Sequence, residues 1–360
     1  MGCCGSKPPS THQADEGGRQ RFVNTVEFFP DDILELINEY TEDVFDGGFT
    51  KLIGHTSLVT TIEAVGDGLM ASGSKDATVR LWDIVRGDCL RVLENHRGTG
   101  TIKALAWLGG RHLASASDRL LCVWDLQNGN CLRSLPSNKS MFSLAKVGSS
   151  DNDLLAVGVD DGLIYLSHFL TGEHIRTLQG HEQPVSGLAA CATTHMASAS
   201  RDLSIRVWDV QTGECQRRFS PAHEHWITSL VFLRGWRLAS GSDDGSVRIW
   251  DIAEERLLRR LTDLGSGSVY SLAALQDGRV ACACFNRDVL LWEPNTAELV
   301  QKLQGHDKFV TSVCVCPSRG WIASASGDGY VRIFKAQKLN LRKMMNDALS
   351  NICLDVDDMT

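Results

Sequence analysis

Histidine, serine and aspartate recur together in this chain, and that trio is the equipment of nucleophilic acyl transfer. A serine is activated by a neighbouring base, and a carboxylate orients the base. His181, Ser198 and Asp202 could form such a set. The same trio returns as His55, Ser72 and Asp76, and again as His223, Ser240 and Asp244. A Trp follows each set, at Trp208, Trp82 and Trp250. A catalytic site is normally built once, so this repetition favours a structural use over a hydrolase. No Gly-rich phosphate loop and no singular nucleophile stands outside the repeated sets. No catalytic residue and no cofactor is therefore expected.

Cysteine is the next candidate for chemistry. The chain has 12, but Cys89, Cys131 and Cys215 recur at one repeated place, as Gly-Asp-Cys, Gly-Asn-Cys and Gly-Glu-Cys. That is how a small core residue behaves, which points to reduced thiols in a cytosolic setting. Cys282 and Cys284, and Cys314 and Cys316, each share one strand face. Neither pair has a His or Asp companion, so no metal site is expected.

Residues 1–7 read Met-Gly-Cys-Cys-Gly-Ser-Lys. Removal of Met1 exposes Gly2, and Ser6 stands where N-myristoylation requires it. Cys3 and Cys4 beside it can take palmitate. A single myristoyl chain binds membranes only marginally, with a constant on the order of 10⁴ M⁻¹, so a second signal is needed. A polybasic patch would not supply it, because Lys7, Arg19 and Arg21 are diluted by Asp15 and Glu16. Residues 1–27 read as a lipid-anchored tether, placing the protein on the cytosolic face of a membrane.

The elements that must carry these residues are set by a period. Trp82, Trp124, Trp208, Trp250 and Trp292 hold one repeated place, with Ser167 and Phe334 completing the series. The steps are 42, 43, 41, 42, 42 and 42 residues. His55, His96, His181, His223 and His306 lie 27 or 28 residues ahead of that place. Units this regular cannot bury an apolar face alone and must stack. Between them lie short alternating runs such as Thr78-Val-Arg-Leu-Trp82, bounded by Gly, Asp and Asn. A net charge of −8 offers no basic stripe for nucleic acid. No apolar run approaches the ~18–20 residues that span a bilayer.

From Thr50 to Lys335 the chain resembles the WD-repeat β-propeller family. The resemblance implies an all-β, seven-bladed propeller, with strands a to d in each blade from the channel outward. It also implies closure by an N-terminal strand, here Thr50-Lys-Leu-Ile53, pairing with the last blade, which removes two exposed sheet edges. Within a blade, the family's Asp, His, Ser and Trp form a buried hydrogen-bonded tetrad. Three blades carry it whole: His55, Ser72, Asp76 and Trp82; His181, Ser198, Asp202 and Trp208; His223, Ser240, Asp244 and Trp250. Blade 3 keeps only Asp161, blade 6 has Cys282 and Asn286 in place of Ser and Asp, and blade 7 has Phe334 for Trp. Blade 2 is one residue shorter between Ser117 and Trp124, which displaces its Asp118.

Family partners bind the top face, where the d–a and b–c loops emerge. The positions aimed there are Lys75, Lys103, Phe142, Asp160, Arg201, Trp226, Asp243, Tyr270, Phe285 and Phe309. A protein or peptide partner is expected on blades 5–7, with the propeller itself monomeric. Residues 28–48 read as a short amphipathic helix: Pro30, Asp31 and Asp32 open it, and Ile33, Leu36, Ile37 and Tyr40 share a face. This stretch resembles the opening of an F-box, which makes a ubiquitin-ligase substrate receptor the alternative to a scaffold. The propeller is assigned to 49–335 and the tail to 336–360. In the tail, Leu341, Met345, Ala348, Leu349 and Ile352 predict a second short helix over about 338–353.

Overall fold

The computed structural model describes residues 43–66, 68–148, 154–191, 194–262 and 267–338. Every regular element among them is a strand. The strands form seven four-stranded antiparallel sheets, arranged as the blades of a ring. Blade 4 is typical: strands a to d are Val185–Cys191, His195–Ser200, Ile205–Asp209 and Cys215–Phe219. Blades 1, 2, 3, 5 and 6 repeat that order in sequence. Blade 7 takes strands a to c from Val310–Cys316, Trp321–Ser326 and Val331–Lys338, and strand d from the N-terminal Asp43–Leu52. The ring is thus closed by its own first strand.

This closing strand is longer than the sequence suggested. It starts at Asp43, inside the stretch assigned to a helix over 28–48, and its partner runs to Lys338, past the propeller limit at 335. The free edge of Val331–Lys338 offers unpaired N–H and C=O groups, and the incoming chain satisfies them. The rest of the two expected helices, at 28–42 and beyond 338, lies outside the described residues, as do Gly2, Cys3 and Cys4.

The strands alternate because each blade buries both faces against its neighbours. Strand b is covered on both sides, so it is made of small residues: Met70-Ala-Ser-Gly-Ser74, Met196-Ala-Ser-Ala-Ser200 and Leu238-Ala-Ser-Gly-Ser242 are buried throughout. The close approach is visible at Gly241, where a Cβ would sit 2.7 Å from Val269 of the next blade. One apolar cluster fills every junction between adjacent blades. The closing junction joins Leu52, Trp82 and Val59 to Val331, Ile333 and Cys316.

The seven a strands line a central channel of about 230 Å³. Hydroxyls knit them together around it. Thr60 donates to Ile102 O, Thr228 to Val269 O and Ser186 to Ile227 O, each in the next blade. Thr311 donates to Val59 O at 2.6 Å and so links the last blade to the first.

Candidate protein interface

The repeated His, Ser, Asp and Trp side chains meet inside their blades. In blade 4 the His181 Nδ1–H donates to Asp202 Oδ2 at 2.8 Å, and the Ser198 hydroxyl donates to His181 Nε2 at 2.7 Å. The Trp208 indole N–H donates to Ser198 Oγ at 2.8 Å. Blade 1 repeats these bonds at 2.8, 2.7 and 2.7 Å through His55, Asp76, Ser72 and Trp82. Blade 5 repeats them at 2.9, 2.7 and 2.8 Å through His223, Asp244, Ser240 and Trp250. Every polar atom has a partner, as buried groups require. The three Ser are fully buried with both hydroxyl roles used, so none can attack a substrate.

Charge is locked in place by the same bonds. Burial alone would raise the Asp202 carboxyl, but the hydrogen bonds from His181 and Ser204 outweigh it and hold it well below the usual range. Asp76, Asp244 and Asp328 are held down in the same way. Burial depresses His223 and His306, with Asp244 and Asp328 opposing in part.

The incomplete blades show what each member contributes. In blade 7 His306 bonds Asp328 at 2.9 Å and Ser324 at 2.8 Å, and Phe334 fills the Trp place. In blade 2 Asp118 is displaced as the shorter spacing predicts: it pairs with Lys103 at 2.5 Å and accepts from Ser140 at 3.2 Å. Ser117 replaces it on His96 Nδ1 at 3.1 Å, and with no carboxylate beside it His96 falls, through burial, to about 4. Blade 3 pairs Lys139 with Asp161 and Tyr165. In blade 6 the buried Trp292 indole N–H has no acceptor among the described residues.

The tetrads serve the top face by fixing its loops. Asp202 Oδ2 also accepts the Glu182 N–H at 3.2 Å, tying the b–c turn to the d–a loop. A second serine, two residues past the tetrad serine, adds another tie. Ser74 bonds Leu58 O at 2.8 Å, Ser200 bonds Gln183 O at 3.0 Å, Ser242 bonds His225 O at 3.1 Å and Ser326 bonds Lys308 O at 3.1 Å. These serines were missed in the sequence, although the recurring Ser-x-Ser signals them. Missed as well were Arg80, Arg206 and Arg248, each two places before a Trp. Arg206 donates to Gly180 O at 2.8 Å. A Cβ on Gly180 would sit 2.8 Å from that guanidinium, which explains the Gly before His181.

The top-face candidates divide into an arc and two outliers. Backbone bonds set candidate pairs side by side: Asp243 N–H donates to Trp226 O at 2.9 Å. Arg201 likewise bonds Pro184 O at 3.0 Å, and Phe285 bonds Ser268 O at 3.0 Å. Lys103 Nζ lies 4.1 Å from the centre of the Phe142 ring. The Arg201 guanidinium lies 5.1 Å from Phe142 and 4.4 Å from Trp226. Tyr270 packs on Phe309 at 5.8 Å, and Phe309 stacks on Phe285 at 6.0 Å. Burial, then the charge of Asp243, raises the Tyr270 phenol. Lys75 on blade 1 and Asp160 on blade 3 are exposed and stand outside the arc. Lys103, Phe142 and Tyr270 hold the strand-a place that Thr60, Ser186, Thr228 and Thr311 hold in blades 1, 4, 5 and 7. Three blades thus present a large side chain at the channel mouth, and in blade 3 the bridge to the next blade is made by the neighbouring Ser143, which donates to Val185 O at 2.9 Å.

Trp226 is 49% exposed and Phe285 52%. Large rings left in water beside cations are the residue types that dominate protein interfaces.

Comparison with protein-family models matches the WD domain, G-beta repeat, at residues 49–83, 87–125, 172–209, 213–251 and 297–335, more than half of the chain. The stretches between the matches hold most of blades 3 and 6, whose tetrads are the least complete. The chain is 33% identical to the zinc finger CCCH domain-containing protein 17 of Oryza sativa subsp. japonica, over 48% of this chain and 38% of that protein. It is 28% identical to the WD repeat-containing protein pop1 of Schizosaccharomyces pombe, over 54% of this chain and 26% of that protein. It is 29% identical to the nuclear distribution protein nudF of Emericella nidulans, over 48% and 45%. The chain spans less than half the length of each of these relatives.

Proposed function

The chain belongs to the WD domain, G-beta repeat family, and on that premise we propose a non-enzymatic protein-interaction scaffold that binds a protein or peptide on its top face. The arc from Lys103 to Phe285 carries this reading, because it leaves Trp226 and Phe285 half in water at the rim of the channel. Covering such rings and excluding water around them is where binding energy concentrates, with about 2 kcal/mol or more lost when an anchor of this kind is truncated. The propeller acts as a monomer in this reading, since the free edge of Val331–Lys338 is paired by the chain's own first strand and not by a second copy. The ligase-receptor alternative rests on Phe28–Tyr40, outside the described residues, and no observation favours it.

The scaffold is tethered to the cytosolic face of a membrane by myristate on Gly2, with palmitate on Cys3 and Cys4. The motif at residues 1–7 supports this. Confinement to a bilayer raises the effective concentration of the binding face without any new contact. Two experiments test the two halves. Affinity capture from cells should lose its specific partner proteins with Trp226→Ala and Tyr270→Ala together, and an unchanged set would refute the top-face assignment. Intact mass and membrane fractionation should show a C14 acyl group and a membrane pellet for the wild type. Gly2→Ala should be unmodified and soluble, and identical behaviour of the two would remove the anchor.

A further inference from the structure

The first and last described residues, Asp43 and Lys338, lie at one place on the disk. Strand d of blade 7 starts at Asp43 and climbs to Leu52, just below the top-face residues Gly54 and His55. Strand c of the same blade descends from the turn at Asp328 and ends at Lys338. Asp43 and Lys338 therefore both lie at the bottom of blade 7, opposite the top-face arc. The point of entry alone does not orient a disk. The chemistry of the bottom face decides the orientation.

We propose that the bottom of blades 5–7 rests on an anionic bilayer, so that the top face points into the cytosol. At the foot of blade 7 the Trp321 ring lies between two cations, with the Arg319 guanidinium 5.2 Å and the Lys335 ammonium 5.1 Å from its centre. Arg319 is exposed, and neither cation forms an ion pair among the described residues. The carboxylates nearest these cations are held first by other donors: the Arg86 and Val85 N–H groups lower Asp83 of blade 1 more than the Arg319 charge does. Asp83 caps the Val85 and Arg86 N–H groups at 2.9 and 3.0 Å, and Asp277 pairs with Arg279 at 2.6 Å. Gln276 of blade 6 donates to Pro317 O of blade 7 at 2.8 Å, which joins the two turns into one surface. On blade 5 the turn presents Arg234, exposed, and Trp236, 46% exposed. Two Trp at the level of unpaired Arg and Lys match a headgroup region, where indoles sit at the interface and cations meet phosphatidylserine. This orientation rests on the tethered-scaffold reading for its biological use, but the surface itself can be tested without the lipid.

The test uses the full chain made without acyltransferase, sedimented with phosphatidylcholine vesicles that contain or lack phosphatidylserine. Partitioning should favour the phosphatidylserine vesicles and fall with added salt. Arg319→Glu with Lys335→Glu should weaken it by more than about twentyfold, since losing each cation costs about fivefold and the added carboxylates repel the anionic surface. Trp226→Ala, on the opposite face, should leave it unchanged. If the Glu pair does not fold, Arg319→Gln with Lys335→Gln should lose on the order of twentyfold, at about fivefold per cation. Equal partitioning to both vesicles, or charge reversal without effect, overturns the proposal. The acylated chain beside Gly2→Ala separates the two claims. The acyl group changes binding to neutral and anionic vesicles alike, whereas the bottom cations change only the anionic preference.

Discussion

At the scale of single residues, the tetrads are hydrogen-bond ledgers whose gaps can be measured. Trp208 donates to Ser198, while the equally buried Trp292 donates to nothing among the described residues. Both Trp→Phe changes remove the same ring volume, so their difference isolates the hydrogen bond. Trp208→Phe should cost about 1 kcal/mol more than Trp292→Phe in urea unfolding. Equal costs would show that the indole bond contributes nothing. The histidines add a pH dependence. Burial holds folded His96 near 4, whereas an unfolded His titrates near 6.5. Between those values the unfolded chain binds a proton that the folded chain does not, so stability falls as pH drops through that window. His96 alone should remove about 2 kcal/mol by pH ~5. The tetrad aspartates, held below their ordinary value, add to the loss only below pH ~4. Because burial raises Glu63 to about 7 and so offsets this slope in both proteins, the loss is read as the difference between wild type and His96→Gln in melting curves at neutral pH and near pH 5. A slope unchanged by that substitution would mean that the proton binds elsewhere.

At the scale of elements, the N-terminal strand is the part without which the ring is open. Phe49 packs on Phe334 at 5.9 Å and Lys51 lies 3.4 Å over the Tyr330 ring, while Leu52 is buried in the junction of blades 7 and 1. Deleting residues 1–55 should expose the edge of Val331–Lys338 and yield an insoluble or oligomeric protein. A soluble monomer with a cooperative melt would contradict closure. The blades were legible from the sequence because a forty-residue period with Trp and His at fixed offsets admits little else. Ser167 and Phe334 were placed by spacing alone, and both fall in strand c where the period puts them. The displacement of Asp118 was legible from one missing residue. The true start of the closing strand was not, because Asp43-Val-Phe-Asp-Gly-Gly carries two glycines and no strand alternation. Its pairing comes from the long partner strand instead. The half-buried Arg80, Arg206 and Arg248 were also illegible, since a charged residue in an alternating run reads as solvent-facing until a d–a loop folds over it, as at Gly180 and Ala222.

At the scale of the whole molecule, the propeller is a disk with two unlike faces. One face gathers rings from Phe142 to Phe285 around the channel mouth. The other collects both ends of the described chain beside Trp321 and its cations. The candidate positions were legible as places on a face but not as an arc. Their joining depends on how Arg201 spans blades 3 to 5 and how Phe309 meets both Tyr270 and Phe285. The central claim is that partner proteins sit on this arc. The most direct test places a photo-cross-linking residue at His225, exposed beside Trp226, and at Val92, exposed on the outer rim. Illumination of cells should give discrete cross-linked protein bands from position 225 and only background from position 92. Bands from the rim alone, or no bands from position 225, would contradict the account.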